Sequence, residues 1–433
     1  MKTFDSFSFG CRVNQAEIEA LDRELMQKGY EKQAQKPDIY ILNTCSVTQK
    51  AEREARKHIY NLKRQFPDTK VVVTGCAATN WSKTNTKVNG VDYLIDNKSK
   101  ELITELLEKK YNFNHDTSDV KRVKAYDEPL ANAATDKFMR SKRVIIKIQD
   151  GCHRFCSFCI VPYLRGLPQS TKIDDIVAQI QSYPEYVEAI LTAINTEAYG
   201  RDSGETFVDL IDAILTKTTI PRISFGSVHP WTFQEDFFTL YRKYAHSNRF
   251  VDFFHIPLQA GSDNMLRLMK RGYTRDEFIE KLNMLKDINE FAFIGTDVIV
   301  GFLEETDLDF EDTYTFLEKT PISKFHVFRF SKREHTAAYY LSNRLKQPTP
   351  AVKKARSQRL RDLSDKKYAF FQEKHLEKTF ETLILERREE DFQQGLLTNQ
   401  MLVWVKSEKD FTGALKNVRI YDYRNGELFG KIV

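Results

Sequence analysis

The sequence predicts an α/β protein built in three parts: an N-terminal open parallel α/β sheet, a central partial (β/α)6 barrel and a small C-terminal β-barrel. Three observations carry this reading. Short apolar strands alternate with helical stretches over the first 135 residues. Six more apolar strand candidates lie between residues 142 and 365, each separated from the next by a stretch long enough for a helix. Beyond residue 378 the helical spacing stops and short strand patterns follow one another. Strand–helix alternation builds parallel sheets covered by helices, whereas closely spaced strands build barrels or sandwiches.

In the first part, Phe4–Phe9 reads as a strand, and Gln15–Lys28 carries Ile18, Leu21 and Leu25 at helical spacing. Asp38–Asn43 and Val71–Thr74 are further strands, separated by a charged helix from Lys50 to Arg64, and Glu101–Lys110 reads as a helix. Residues 112–141 are polar and aperiodic and read as a connector. The six strands of the second part are Val144–Ile148, Ala189–Thr192, Ile223–Phe225, Phe253–Ile256, Phe293–Val300 and Phe325–Phe330. Six βα units are too few for an eight-stranded barrel and suit an open one. Right-handed crossovers place all its strand C-termini at one mouth, where ligands bind. The last part opens with a basic helix from Ala351 to Lys378, followed by strands at Thr379–Leu385, Met401–Val405, Leu415–Tyr421 and Leu428–Val433. The expected domains are therefore 1–135, 136–368 and 369–433.

Hydrophobic residues at 41% and charged residues at 29% are ordinary for a soluble globular chain. No apolar run reaches the about 18 residues of a membrane span, and the N-terminus lacks the apolar core of a secretory signal, so a cytoplasmic protein is expected. A net charge of +5 is too small to establish a nucleic-acid partner. The six cysteines say more. In a reducing compartment, grouped cysteines bind metal or do chemistry more often than they pair.

The sharpest grouping is Gly151-Cys152-His153-Arg154-Phe155-Cys156-Ser157-Phe158-Cys159, a C-x3-C-x2-C loop directly after the first strand of the partial barrel. Three thiolates on one short loop hold three irons of a cubane cluster and leave the fourth open. A structural zinc site, with His153 as fourth ligand, is the competing reading. Cys11, Cys45 and Cys76 share no local spacing, yet each stands at the C-terminal end of an expected parallel strand, where side chains from successive strands converge. They carry a second cluster, or they are three unrelated small core residues.

The C-x3-C-x2-C loop with Phe158, after strand one of a (β/α)6 pattern, resembles the radical S-adenosylmethionine (SAM) superfamily. Adding Gly10-Cys11-Arg12-Val13-Asn14-Gln15, Asn43-Thr44-Cys45 and Thr74-Gly75-Cys76, the whole chain resembles the radical SAM methylthiotransferases. Segments such as Ile256-Pro257-Leu258-Gln259-Ala260-Gly261-Ser262 and His326-Val327-Phe328 match as well. The closing barrel resembles the TRAM domain, an RNA-binding module of that family.

This resemblance implies two 4Fe–4S clusters, one on Cys152, Cys156 and Cys159 and one on Cys11, Cys45 and Cys76, with SAM as a further cofactor. One SAM would methylate sulfur carried at the N-terminal site. A second, cleaved at the C-x3-C-x2-C loop, would give the radical that abstracts a substrate hydrogen, so the two sites must face a common substrate. Phe158, Thr192, Asn195, Gln259 and Asp297 are expected to contact SAM, against the alternative that they only cap and brace loops at the mouth. The resemblance further implies a tRNA substrate, a reductase or flavodoxin-type electron donor and a sulfur donor; the chain is expected to be a monomer and to touch no membrane. The surroundings of Cys11 and the run Asn43-Thr44-Cys45-Ser46-Val47-Thr48 are similar to the branch acting on threonylcarbamoyladenosine beside the anticodon. Isopentenyladenosine in tRNA and a ribosomal protein are the alternative substrates. Residues Lys353 to Lys367, with Arg53, Arg56 and Lys57, are candidates for phosphate contacts. The chain departs from the family pattern at Gln169, His229, Leu303 and Glu304, the last two replacing a proline and a glycine, which puts loop shape and substrate contacts in question.

Overall fold

The apolar runs of the N-terminal part form the parallel sheet that their alternation predicts. In this computed structural model, which describes residues 2–33, 35–108, 142–245 and 247–433, the sheet comprises β1 (Thr3–Ser8), β2 (Glu31–Lys32), β3 (Ile39–Thr44), β4 (Lys70–Thr74) and β5 (Tyr93–Leu94). Their order is β2-β1-β3-β4-β5, and every pairing is parallel. All six residues of β3 are buried, as a continuous apolar run in a central parallel strand requires. Ile41 and Val72 face one core with Ile18, Leu21 and Leu25 of the helix Arg12–Gln27. Leu42 and Val73 face the other, with Ile59 of the helix Gln49–Gln65 and Trp81 of the helix Gly75–Lys83. The expected connector at 112–141 lies outside the described residues.

The described residues group into two compact units. The first takes in Met1–Thr135, Gln149–Gln169 and Ser331–Tyr339; the second takes in Asp136–Ile148, Ser170–Phe330 and Tyr340–Val433.

All six strands expected in the second part are present. A first sheet holds β6 (Arg143–Asp150), β7 (Gln169–Ser170), β8 (Glu188–Ala193) and β9 (Arg222–Phe225) in the order β7-β6-β8-β9. A second holds β10 (Phe253–His255), β11 (Phe293–Val300) and β12 (Lys324–Arg329) in the order β10-β11-β12. The arc is thus two hydrogen-bonded sheets, joined by the parallel bridge Ile223↔Phe250 and by the Val228 N–H donating to His255 O at 2.9 Å. The pattern repeats locally as well: the helices Phe207–Lys217, Arg275–Ile288 and Asp307–Lys319 each start in a capping box, at Thr206/Asp209, Thr274/Glu277 and Thr306/Asp309.

The last part closes into a five-stranded barrel, β13-β14-β15-β17-β16, of β13 (Thr379–Glu389), β14 (Phe392–Leu397), β15 (Leu402–Lys406), β16 (Leu415–Arg424) and β17 (Glu427–Ile432). Sequence reasoning found four of these strands and missed β14. The run Phe392-Gln393-Gln394-Gly395 lacks strand alternation because a polar side chain is buried there. Gln393 is fully buried, and its amide nitrogen lies 2.9 Å from Leu385 O, 2.8 Å from Asp410 Oδ1 and 2.9 Å from Thr412 Oγ1.

A barrel this small gains from sharing a core. Phe293 of β11 and Phe371 pack with Ile384, Leu397, Val403 and Val418. The buried Arg222 guanidinium donates to Glu381 O at 2.7 Å and to Leu396 O at 3.2 Å. The basic helix runs from Pro350 to Glu373, and several of its cations are engaged inside their own unit. Arg356 bonds Glu305 and donates to Asp307 at 2.6 Å, Arg359 pairs with Glu311 at 2.6 Å, and Lys367 donates to the carbonyls of Glu318 and Thr320. Among the described residues no helix is long and apolar enough to cross a membrane.

Candidate active site

Cys11, Cys45 and Cys76 follow three neighbouring strands. In-register pairing of Ser8 with Asn43 and of Asn43 with Thr74, extended by the bridge Thr44↔Gly75, levels the ends of β1, β3 and β4. Cys45 directly follows β3, Cys76 lies two residues past β4, and Cys11 three past β1. Two glycines allow the close approach. Gly10 has φ +94°, and a Cβ there would stand 2.5 Å from Cys45 Cβ and 2.8 Å from its Sγ. Gly75 also has φ +94°, and a Cβ would stand 2.2 Å from Asn43 Oδ1 and 2.4 Å from Thr44 O. Gly10→Ala is therefore expected to cost about 1–3 kcal/mol in stability and to displace Cys45. Urea unfolding, and iron bound by a chain lacking Cys152, Cys156 and Cys159, would measure the two effects.

The three thiols feel one another. Desolvation pushes the Cys45 thiol up to about 12, with the Cys76 and Cys11 charges adding to the rise. Cys11 is an exposed residue whose thiol is also raised, by desolvation around its sulfur, while the Arg165 guanidinium pulls it down. Such thiols ionise only against positive charge, which metal coordination supplies. An all-thiolate donor set suits iron–sulfur chemistry over hard cations. In a cubane cluster each thiolate attaches to a different iron, so three sulfurs on one strand-end platform need not meet at a single metal position.

The C-x3-C-x2-C loop leaves the end of β6 and belongs to the same unit as those three cysteines. Cys152 and Cys156 are buried and Cys159 half-buried. The Cys152 N–H donates to Gly166 O at 3.1 Å, the Cys159 N–H to Cys156 O at 2.9 Å, and Ser157 O accepts from the Ala338 N–H at 2.7 Å. Phe158 is half-buried on this loop.

The remaining expected SAM contacts lie in the second unit, at strand ends. Thr192 is buried near the end of β8. Asn195 is fully buried just beyond, where its Oδ1 accepts from the Glu197 N–H at 3.2 Å and caps the turn Thr196–Ala198. Gln259 has φ +77° and bridges Val298. Asp297 lies in β11 opposite His326, with its Oδ2 3.1 Å from His255 Nε2.

Sequence reasoning missed the residue that ties the two cysteine groups together. The Arg165 side chain is only 1% exposed. Its Nε donates to Cys76 Sγ at 3.3 Å and its Nη2 to Asn14 Oδ1 at 2.6 Å. Its Nη1 donates to Glu17 Oε1 at 3.0 Å and to both Asp150 oxygens at 2.8 and 2.9 Å. Asn14 in turn donates to Phe9 O at 2.8 Å and Thr44 O at 3.0 Å, bracing the turns that carry Cys11 and Cys45. Asp150 precedes Gly151-Cys152 and accepts from the Gly151 N–H at 2.8 Å. One guanidinium thus holds the approaches to both sets. No spacing rule announces an arginine six residues after Cys159.

Two family models and several curated relatives match this chain. Residues 3–96 match the family described as "Uncharacterized protein family UPF0004", and residues 146–317 match the radical SAM superfamily. A threonylcarbamoyladenosine tRNA methylthiotransferase MtaB of Aquifex aeolicus is 34% identical, with 88% of this chain and 92% of that one covered. The MtaB of Bacillus subtilis is 33% identical, covering 99% of this chain and 96% of that one.

The chain belongs to the MtaB family of radical SAM methylthiotransferases. It is therefore an enzyme that uses SAM and iron–sulfur clusters of the 4Fe–4S type, as the radical SAM methylthiotransferases do. A tRNA-2-methylthio-N(6)-dimethylallyladenosine synthase of Natranaerobius thermophilus is 29% identical over all of this chain and 97% of its own, below the MtaB relatives. Among solved structures, the radical SAM methyltransferase TsrM of Kitasatospora setae superposes with a TM-score of 0.57 at 13% identity, covering 78% of this chain and 74% of that one. That likeness shows the fold that the MtaB family shares with other radical SAM enzymes.

Proposed function

We propose that this chain methylthiolates threonylcarbamoyladenosine next to the anticodon of tRNA. In this reading Cys152, Cys156 and Cys159 hold one 4Fe–4S cluster, and Cys11, Cys45 and Cys76 hold the second. The carrying observation is that both sets of three cysteines lie in one compact unit, bridged by Arg165. A cubane held on three thiolates would leave one iron open for SAM and would supply the one-electron chemistry that C–H activation needs. The protein supplies position. Gly166 O and Ser157 O fix the loop of Cys152, Cys156 and Cys159, while Asn14 and Arg165 fix the turns of the other set. Phe158, Thr192, Asn195, Gln259 and Asp297 orient SAM, and the closed C-terminal barrel grips RNA as a TRAM-like module. A flavodoxin-type reductase delivers electrons, a separate donor restores sulfur, and the enzyme works as a cytoplasmic monomer.

The test is anaerobic reconstitution with SAM, a reductant and tRNA bearing threonylcarbamoyladenosine, with isopentenyladenosine tRNA in parallel, followed by nucleoside mass spectrometry. A methylthio gain on the threonylcarbamoyl nucleoside is expected, and it should vanish in Cys11→Ala while SAM cleavage persists. A gain confined to the isopentenyl nucleoside would overturn the substrate assignment.

A further inference from the structure

The turn Arg333–Thr336 carries a strained tip. His335 has φ +67°, a left-handed conformation that is unfavourable for a non-glycine residue and persists only where its surroundings impose it. Here they do. Arg333 is buried, donates to Ser46 Oγ at 2.7 Å and bonds Glu52. Thr336 is buried and donates to Arg333 O at 2.7 Å, and the Ala338 N–H donates to Ser157 O at 2.7 Å. The tip is thus pinned between Ser46, the neighbour of Cys45, and Ser157, which stands between Cys156 and Cys159.

What this anchoring fixes is an exposed ring. The His335 imidazole lies flat on Tyr163, with centroids 4.0 Å apart and planes 15° apart. Behind it, the Lys83 ammonium sits 4.0 Å from the Tyr163 ring centroid and donates to the Tyr163 carbonyl. Tyr163 packs in turn on Cys76, Ile160 and Leu164. His335 itself is exposed, so its strained conformation is not offset by burial. Single-stranded nucleic acids are gripped by stacking unpaired bases on aromatic faces beside positive charge. A protein partner would need a far larger apolar area than one ring provides.

We propose that the His335–Tyr163 stack is a platform for one unpaired base of the substrate's anticodon loop, flanking the adenosine to be modified. This rests on the tRNA-modifying reading above. The test is a fluorescence titration of the reconstituted full chain with an anticodon stem–loop RNA, carrying 2-aminopurine on each side of that adenosine in turn. The unmodified chain should quench the probe at one flank. His335→Gly, which removes the ring and relaxes the left-handed backbone, should weaken binding about tenfold and abolish the quench, whereas His335→Phe should keep both. A thermal transition for His335→Gly no lower than that of the unmodified chain shows that the loss is not misfolding. Binding by His335→Gly within about twofold of the unmodified chain, with the quench intact, would overturn the platform alone. Failure of the unmodified chain to bind the RNA would overturn both the platform and the tRNA reading.

Discussion

Cys156→Ala is expected to abolish reductive cleavage of SAM while leaving the chain folded. Cys156 is buried in a loop whose shape is set by backbone bonds, with the Cys159 N–H on its own carbonyl at 2.9 Å and Ala338 bonded to Ser157 beside it. Those bonds survive a change of side chain, and a thiol trimmed to a methyl leaves only a small void. What is lost is one of three thiolates on which an open-iron cluster depends. The fall in 5′-deoxyadenosine production should exceed the about 10- to 100-fold loss that follows removal of a metal ligand's supporting partner. Chromatographic quantitation under dithionite measures it. Undiminished cleavage would refute the assignment of this loop.

Arg165→Met is the second large effect, and it acts on stability as well as chemistry. Breaking a buried ion pair by removing one member costs about 3–5 kcal/mol, because the surviving charge is left without compensation. Glu17 keeps Lys100 as a partner and the Asp150 side chain is 25% exposed, so the loss belongs near the lower end, about 3 kcal/mol. Arg165→Lys retains the charge but not the planar fork that reaches Asp150, Glu17, Asn14 and Cys76 together, and should recover part of the stability. Urea unfolding gives the energies. Iron retained by the N-terminal cysteines, measured in a chain lacking Cys152, Cys156 and Cys159, should fall in the order unmodified, Lys, Met. Equal retention in all three would reduce Arg165 to a structural role.

Much of this architecture was legible because burial writes itself into periodicity. Runs such as Ile39–Leu42 and Val71–Val73 are apolar for the reason that central parallel strands are covered on both faces. The cysteines at three strand ends were legible because parallel topology brings strand ends together. β14 was not, since Gln393 trades alternation for hydrogen bonds to residues on either side of it in the chain. Nor was Arg165, whose partners Asn14 and Glu17 lie about 150 residues away. Part of the basic helix is engaged in a way its sequence does not show. Arg356 and Lys367 are taken up by carboxylates and carbonyls of their own unit, while Arg359 pairs with Glu311 at the surface. The departure at Glu304 has a local account. This residue stands where the family pattern has glycine and has a left-handed backbone at φ +58°, held by its N–H on Lys346 O at 2.9 Å and its carboxylate on the Lys346 N–H.

The grouping of Gln149–Gln169 and Ser331–Tyr339 with the N-terminal residues has a consequence for how such a chain is divided or recombined. The polypeptide leaves and re-enters this unit, so no single cut liberates it whole. A gene fragment ending before residue 136 would carry Cys11, Cys45 and Cys76 without the guanidinium that braces them. A fragment beginning there would carry the other three cysteines without the carboxylate and amide that anchor that arginine. The unit that holds all six cysteines is in effect one heritable module, written in three separate passages of the sequence.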